Sequence, residues 1–314
     1  MKICYLIQTH QNIEQIYRLV DRIKQSYWEN IIIISHDFTN CSLDEIDLRK
    51  RGIQLLKNHG GRRGDFFVIQ SYLNGIKWLI DNQIEYDWLV YLSGQDYPTK
   101  PISEIETFLS QTHYDGFMEY FKVFSPESQW SMREGKNRYL FKYKNIHILK
   151  KFPNWLKKLI IPIKIVNYLQ PLFRVNLAYE MLGIRRKSLF NGDFICYGGS
   201  SFTTLTGKCI EYLDDFCQNH PEIIEYYKEV CNSDESFIQT ILLNSKRFNL
   251  CNDNKRYFDF SQTKNGRPKI LTINDYDAIV QSNAHFARKF DIREDGKILD
   301  ILDREINQVV RNHS

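Results

Sequence analysis

A carboxylate pair in Ser233-Asp234-Glu235-Ser236-Phe237 and a double cation in Phe286-Ala287-Arg288-Lys289-Phe290 are the residues of this chain best equipped for chemistry. An acid at a helix start can take a proton from an alcohol, and adjacent Arg and Lys can hold a leaving diphosphate as its charge develops. Together they supply group transfer from an activated diphosphate without a metal. Each half also has a plainer reading. Ser-Asp-Glu ahead of Phe237, Ile238, Ile241 and Leu242 is a helix N-terminus, with Ser233 as cap and two acids favoured by the helix dipole. Arg-Lys within an aromatic strand is equally a solvated strand edge.

Elements that position such residues are visible along the first third of the chain. Ile3 to Ile7 reads as a buried strand, with Ile13, Ile16, Leu19, Val20, Ile23 and Tyr27 at helical spacing behind it. Ile31 to Ile34 reads as a second strand. A helix carrying Phe67, Ile69, Leu73, Ile76, Leu79 and Ile80 follows, then the strand Trp88 to Leu92, a turn over Gly94 to Pro98, and a helix over Ile102 to Leu109. This order predicts a mostly parallel sheet with helices on both faces, whose ligands bind beyond the carboxyl ends of the strands. His10, His36, Asp37 and Asp96 all fall at such ends. Turn and cap roles for the aspartates, and structural hydrogen bonding for the histidines, are the alternatives.

Two glycine-rich stretches stand out. In Asn58-His-Gly60-Gly61-Arg62-Arg63-Gly64-Asp65-Phe66, paired arginines suit either a phosphate or solvent. In Tyr197-Gly198-Gly199-Ser200-Ser201-Phe202, the glycines allow close approach of backbone to a sugar, and the hydroxyls of Ser200 and Ser201 offer donors and acceptors. A strand-to-helix turn is the simpler reading of the second stretch.

Four motifs in order, Tyr91-Leu-Ser93-Gly94-Gln-Asp96-Tyr97-Pro98, Tyr197 to Leu205, Asp234-Glu235-Ser-Phe and Phe286 to Phe290, resemble those of the core-2/I-branching N-acetylglucosaminyltransferase and peptide O-xylosyltransferase family, glycosyltransferase family 14. The first two strands fit as well, so the resemblance covers nearly the whole chain. It implies an α/β fold of GT-A type, a Rossmann-like mixed, mostly parallel sheet flanked by helices around one nucleotide-sugar cleft. The chain is then one domain, with a nucleotide-binding half over 1–120, a variable basic segment over 121–190 and an acceptor or catalytic half over 191–314.

The same resemblance implies roles. Glu235 matches the general base of an inverting displacement, with Asp234 capping its helix and orienting it. Arg288 and Lys289 match the pair that replaces a divalent metal, so no cofactor is expected. Asp37 matches the acid that meets the uridine and Asp96 the acid after the Ser-Gly turn, and His10 is a further nucleotide candidate. Gly199, Ser200, Ser201, Glu119, Arg133 and Arg138 are candidates for sugar and acceptor. The donor implied is a UDP-sugar. UDP-GlcNAc is favoured over UDP-xylose, because Ser201 stands where the xylosyltransferase branch often has Asp. The acceptor expected is a glycan or lipid-linked glycan. A non-catalytic carbohydrate-binding or membrane-surface protein on the same fold is the alternative. The Trp that the family carries before Gly60-Gly61 is absent here.

Composition bounds these readings. With 314 residues, 43% hydrophobic and 25% charged, the chain can bury a large core, and a net charge of +4 is too mild for a nucleic-acid binder. Seven cysteines, odd in number and without any CxxC spacing, favour reduced thiols in a cytoplasmic compartment. The apolar start Ile3 to Ile7 is only a strand long, so, set against the anchored eukaryotic members of the family it resembles, an anchor-free, bacterial-type protein is expected. Asp275-Tyr276-Asp277 has the letters of a metal motif but sits in a late turn. From Lys136 to Arg174 there are cations and aromatics throughout and no Asp or Glu. That composition suits either peripheral membrane contact through 144–174, at the inner face of a membrane, or a cap over the cleft formed by Trp155, Leu156, Leu159 and Ile160.

Overall fold

The computed structural model describes residues 1–26, 29–62, 64–146, 162, 165–177, 179–262 and 266–312. Tyr27, Arg63 and the Trp155 to Ile160 stretch lie outside them.

The chain opens with β1 (Ile3–Thr9), α1 (Ile13–Ile23), β2 (Ile31–Asp37), α2 (Glu45–Lys50), β3 (Gln54–Asn58), α3 (Phe67–Asp81) and β4 (Trp88–Ser93). It continues through β5 (Asp96–Pro98), α4 (Ile102–Gln111), β6 (Gly116–Phe117), β7 (Phe121–Lys122), α5 (Met132–Tyr139) and β8 (Phe141–Asn145). After α6 (Val166–Leu169) come β9 (Phe173–Asn176), β10 (Met181–Arg185), β11 (Tyr197–Gly198) and β12 (Thr204–Thr206). The remainder is α7 (Gly207–Asn219), α8 (Pro221–Lys228), α9 (Phe237–Ser245), β13 (Leu250–Cys251), β14 (Arg256–Tyr257), α10 (Tyr276–Gln281), β15 (Phe286–Arg288) and α11 (Lys297–Asn312).

Seven strands form the central sheet in the order β13-β6-β12-β4-β1-β2-β3, and β12 alone runs against the others. Both faces are covered, which is why these strands read as unbroken apolar runs. Tyr5, Ile7, Val90 and Leu92 face α1, α4, α10 and α11, whereas Cys4, Leu6, Leu89 and Tyr91 face α3, α7, α8 and α9. The expected mixed, mostly parallel sheet flanked by helices is therefore present.

The ends of the chain meet. Arg18 of α1 reaches Asp300 (2.8 Å) and Asp303 (2.6 Å) of α11, and β15 pairs with β5, setting Arg288 opposite Asp96. What looked like a turn over Gly94 to Pro98 thus contains a strand whose partner lies nearly two hundred residues away. Beside the main body, β8-β10-β9 make a small antiparallel sheet out of the basic segment.

Candidate active site

The carboxyl ends of the parallel strands share one edge. β1 delivers His10 there, β2 Asp37, β4 Ser93, and β6 leads into Glu119. Because β12 is reversed, the loop before it, Gly199 to Thr203, lies over the same edge, held by the Tyr91 N–H donating to the Thr203 carbonyl (3.0 Å).

Glu235 stands on a single 3-10 turn, Ser233–Glu235, entered through Asn232 in the left-handed region (φ 57). Three contacts fix this turn. The Asn232 N–H donates to the Gly64 carbonyl (2.9 Å), the Ser233 hydroxyl to the Asp65 carbonyl (3.3 Å), and the Gly199 N–H to the Glu235 carbonyl (2.9 Å). Gly64 has a positive φ of 80° and is crowded by Tyr179 and Asn232, so a side chain there would be strained twice over. The glycine-rich stretch after β3 therefore serves as a seat for the Glu235 turn.

The Glu235 carboxylate pairs with Arg138 of α5 and accepts from the Asn232 amide (3.4 Å). Arg138 also holds Glu134 (2.6 Å), and its guanidinium lies 4.0 Å over the Trp130 ring. Burial opposes its charge, but the Glu235 and Glu134 carboxylates prevail and raise it above the ordinary arginine value.

Two expectations about this motif are corrected. Ser233 and Asp234 do not cap the helix: α9 begins only at Phe237, its N-cap residue is Ser236, and no side chain caps it. The backbone of Ser236 (φ −149, ψ −28) interrupts the run, so the acids precede the helix by a turn. Asp234 instead accepts from the Ser201 hydroxyl (2.7 Å). Burial first, and then the neighbouring Glu235 charge, push its carboxyl up to about 6.

The glycine pair also has another reason than closeness to a sugar. A Cβ on Gly199 would run into the Glu119 backbone carbonyl, so the residue is small because two protein backbones pass there. The Ser200 carbonyl accepts from the Gln239 amide (2.7 Å) and its hydroxyl from the Phe202 N–H (3.4 Å), which fixes the loop onto α9. Burial pushes the Glu119 carboxyl above the usual range; hydrogen bonds from Gln129 and the Ser200 N–H work against this, and the Glu235 charge adds to it. Glu119 and Glu235 thus face one electrostatic space.

The loop bridges the acids to the cations. Phe202 stacks on Tyr91 (5.6 Å between centroids), and the Arg288 guanidinium lies 4.1 Å from the Phe202 ring centre. Arg288 Nε is 3.1 Å from Asp96 Oδ1. Asp96 is 0% exposed, and its other oxygen takes the Ser93 N–H. Asp96, expected at the nucleotide, is thus buried behind Arg288 and forms an ion pair with it. Arg256, buried beneath, donates to the carbonyls of Asn254 (2.9 Å) and Tyr91 (3.3 Å). Burial pushes Arg256 down to about 10, with Asp96 pulling the other way.

Lys289 follows Arg288 across a cis peptide, and its carbonyl accepts from the Leu271 N–H (2.8 Å). His10, just past the end of β1, is held below its ordinary value first by partial desolvation of its ring and then by the Lys289 charge, against Asp37 and reinforced by Arg267. Burial would raise Asp37, but hydrogen bonds from the Thr39 hydroxyl (2.6 Å), the Thr39 N–H (2.9 Å) and the Gly61 N–H (3.0 Å) outweigh it and hold the carboxylate low. His36 is wholly internal: its ring sits between the Thr9 hydroxyl (2.7 Å) and the Cys41 carbonyl (2.9 Å). Arg267, Asn232, Trp130 and Phe202 were not singled out as site residues from sequence. Only Phe202, inside the glycine motif, left a usable signal there.

Beside Glu235 a cavity of about 400 Å³ is lined by Arg133, Glu134, Arg138, Tyr143, Asn176 and Asn232, among others. Arg133 lies 4.0 Å over the Tyr168 ring. Asp275 caps a turn with Thr272 and pairs with Lys269 (2.6 Å), as a turn residue should. Among the described residues, no group of three or more His, Cys, Asp or Glu is placed to hold a metal ion, and no disulfide joins the cysteines.

Residues 52–280, a stretch that includes Glu119, Arg138 and Glu235, match the family model described as Core-2/I-Branching enzyme. The chain belongs to this family. Among relatives, the beta-glucuronosyltransferase GlcAT14C of Arabidopsis thaliana is 25% identical over 243 residues, 76% of this chain and 54% of that protein. The beta-glucuronosyltransferase GlcAT14B of the same plant is 30% identical over 137 residues, 43% of this chain and 31% of that one. The chain thus spans about half the length, or less, of the relatives it matches. Among solved structures, a putative glucose-1-phosphate thymidylyltransferase from Bacillus anthracis aligns with a TM-score of 0.34 at 10% identity, over 79% of this chain and 85% of that one. The Core-2/I-Branching match ends before Arg288 and Lys289, so the place of the cation pair rests on the geometry above.

Proposed function

We propose that this Core-2/I-Branching family member is an inverting glycosyltransferase that moves a sugar from a UDP-sugar to a hydroxyl of a glycan or lipid-linked glycan without a divalent metal. The observation that carries the reading is the Gly199 to Phe202 loop, which joins Glu235 to Arg288 through Ser201, Asp234 and Phe202. In this reading the acceptor occupies the cavity beside Glu235, with Glu119 and Arg138 at its entrance. Its hydroxyl oxygen attacks C1 of the donor sugar while Glu235 takes the hydroxyl proton. The bond from C1 to the diphosphate breaks, and its electron pair leaves with UDP, whose growing charge falls to Arg288 and Lys289. Attack from the face opposite the leaving group gives a beta linkage. His10, Asp37 and Arg267 form the rim where the uridine end of the donor lies.

UDP-GlcNAc remains the first donor, on the argument from Ser201. The names of the relatives favour UDP-glucuronate as the second reading. Both are tested by following UDP release from a panel of UDP-sugars in excess chelator, with a glycan acceptor. Glu235→Gln should lower turnover by about 10² to 10⁴ while leaving UDP affinity unchanged. Unchanged turnover in this variant would remove Glu235 from its role, and a wild-type chain that binds glycan without any turnover would favour a carbohydrate-binding protein.

A further inference from the structure

The small sheet β8-β10-β9 has two unlike faces. Phe141, Tyr143 and Met181 point inward with Cys231, and Tyr143 and Asn176 line the cavity beside Glu235. On the opposite face the register sets Lys144, Leu182 and Val175 in one cross-strand row and Lys142, Ile184 and Phe173 in the next. Leu182, Ile184 and Phe173 are all exposed, Ile184 by 51%. An antiparallel sheet with one solvated face normally carries polar residues there. Asn167 fastens α6 to the edge of this sheet through both its amide atoms on the Val175 backbone (2.7 and 2.9 Å). That places the exposed Tyr168, Leu169 and Leu172 beside β9.

The border of this apolar surface is cationic. Lys142 and Lys144 lie in the same rows as the apolar side chains, and Lys187 follows, exposed, past the end of β10. Acids lie at this border too: Glu229 pairs with Lys142 (2.6 Å) and Arg186 (3.2 Å), and Glu180 immediately precedes β10. Sequence from Lys136 to Arg174 adds cations and no Asp or Glu. A second copy of the chain fits this face poorly, because one cationic border would meet another. An anionic bilayer surface fits it on both counts, since apolar side chains enter the interfacial layer while lysines meet the headgroups.

We propose that the outer face of β8-β10-β9, with α6, docks on an anionic lipid surface, leaving the inner face of the same sheet turned to the cavity. The inference rests on the exposed face and its charge, and it stands whether or not the transfer reaction does.

The experiment is flotation of the full chain with vesicles of phosphatidylcholine alone and of phosphatidylcholine mixed with phosphatidylglycerol. Binding is expected to the mixed vesicles only, and to fall at high salt. Each lysine near an anionic surface is worth about fivefold in partitioning, so Lys142→Gln with Lys144→Gln should weaken binding roughly 25-fold. Leu182→Glu with Ile184→Glu should abolish it. Thermal melting controls for the fold, and the lysine variants serve if the glutamate variants unfold. No flotation of the wild type, equal flotation with neutral vesicles, or full binding by both sets of variants would overturn the proposal. So would a concentration-dependent dimer that the Ile184 variant abolishes.

Discussion

At the scale of single residues, the chemistry depends on groups that hold other groups. In the proposed reaction Arg288 meets the diphosphate, and Asp96, buried behind it, pairs with it at 3.1 Å. A charged hydrogen bond contributes about 1.5–3 kcal/mol, so Arg288→Ala should weaken UDP binding about 10- to 100-fold. Asp96→Asn should produce part of the same loss, and the double variant should lose no more than Arg288→Ala; additive losses in calorimetry would separate the two residues. Asp234 makes a second prediction. Its folded-state carboxyl, raised from 3.8 to about 6, keeps a proton that the unfolded chain releases. Across that window the unfolded state binds fewer protons, so this position's contribution to stability falls as pH rises and levels off above about 6. Denaturation of Asp234→Asn should lack this slope, and an unchanged pH dependence would contradict the assignment. The residue types were legible in sequence, whereas their partners were not. Nothing in Gly94 to Pro98 announces that Asp96 pairs with a strand carrying Arg288.

At the scale of elements, the site is built where loops cross rather than where helices begin. The Glu235 turn is clamped between the Gly64 loop and Gly199, and Gly199 passes directly against the Glu119 carbonyl. Gly199→Ala must push one backbone off the other, at a cost of about 1–3 kcal/mol, and thermal melting should show it. A melt matching the wild type would mean that the loop shifts freely. The elements β1, α1, β2, α3 and β4 were legible because burial on both sheet faces, or on one helix face, leaves an unmistakable pattern. The start of α9 was misplaced because Asn232 and Ser236 adopt backbone conformations that their side chains do not betray. In β8, Phe141-Lys-Tyr143-Lys already alternates with period two, but the cations and prolines around it drew the reading toward a cap or an amphipathic surface.

At the scale of the whole molecule, a mostly parallel sheet gathers His10, Asp37, Ser93 and Glu119 along one edge, and the C-terminal segments return to add Glu235, Arg288 and Lys289. The division of the sequence into a nucleotide half and a catalytic half is crossed by these returns. β12 and β13 complete the sheet begun by β1 to β4, and α11 packs on α1. Among the described residues, no helix is long and apolar enough to cross a membrane.

In the proposed reaction, Arg288 and Lys289 hold the leaving diphosphate without a metal while Glu235 acts on the acceptor. The most direct measurement is calorimetric titration of UDP, in excess EDTA, into the wild type, Glu235→Gln and an Arg288→Ala/Lys289→Ala double variant. UDP should bind the first two with equal affinity and fail to bind the third. Uridine binding that appears only after manganese is restored, or that survives in the double variant, would contradict it.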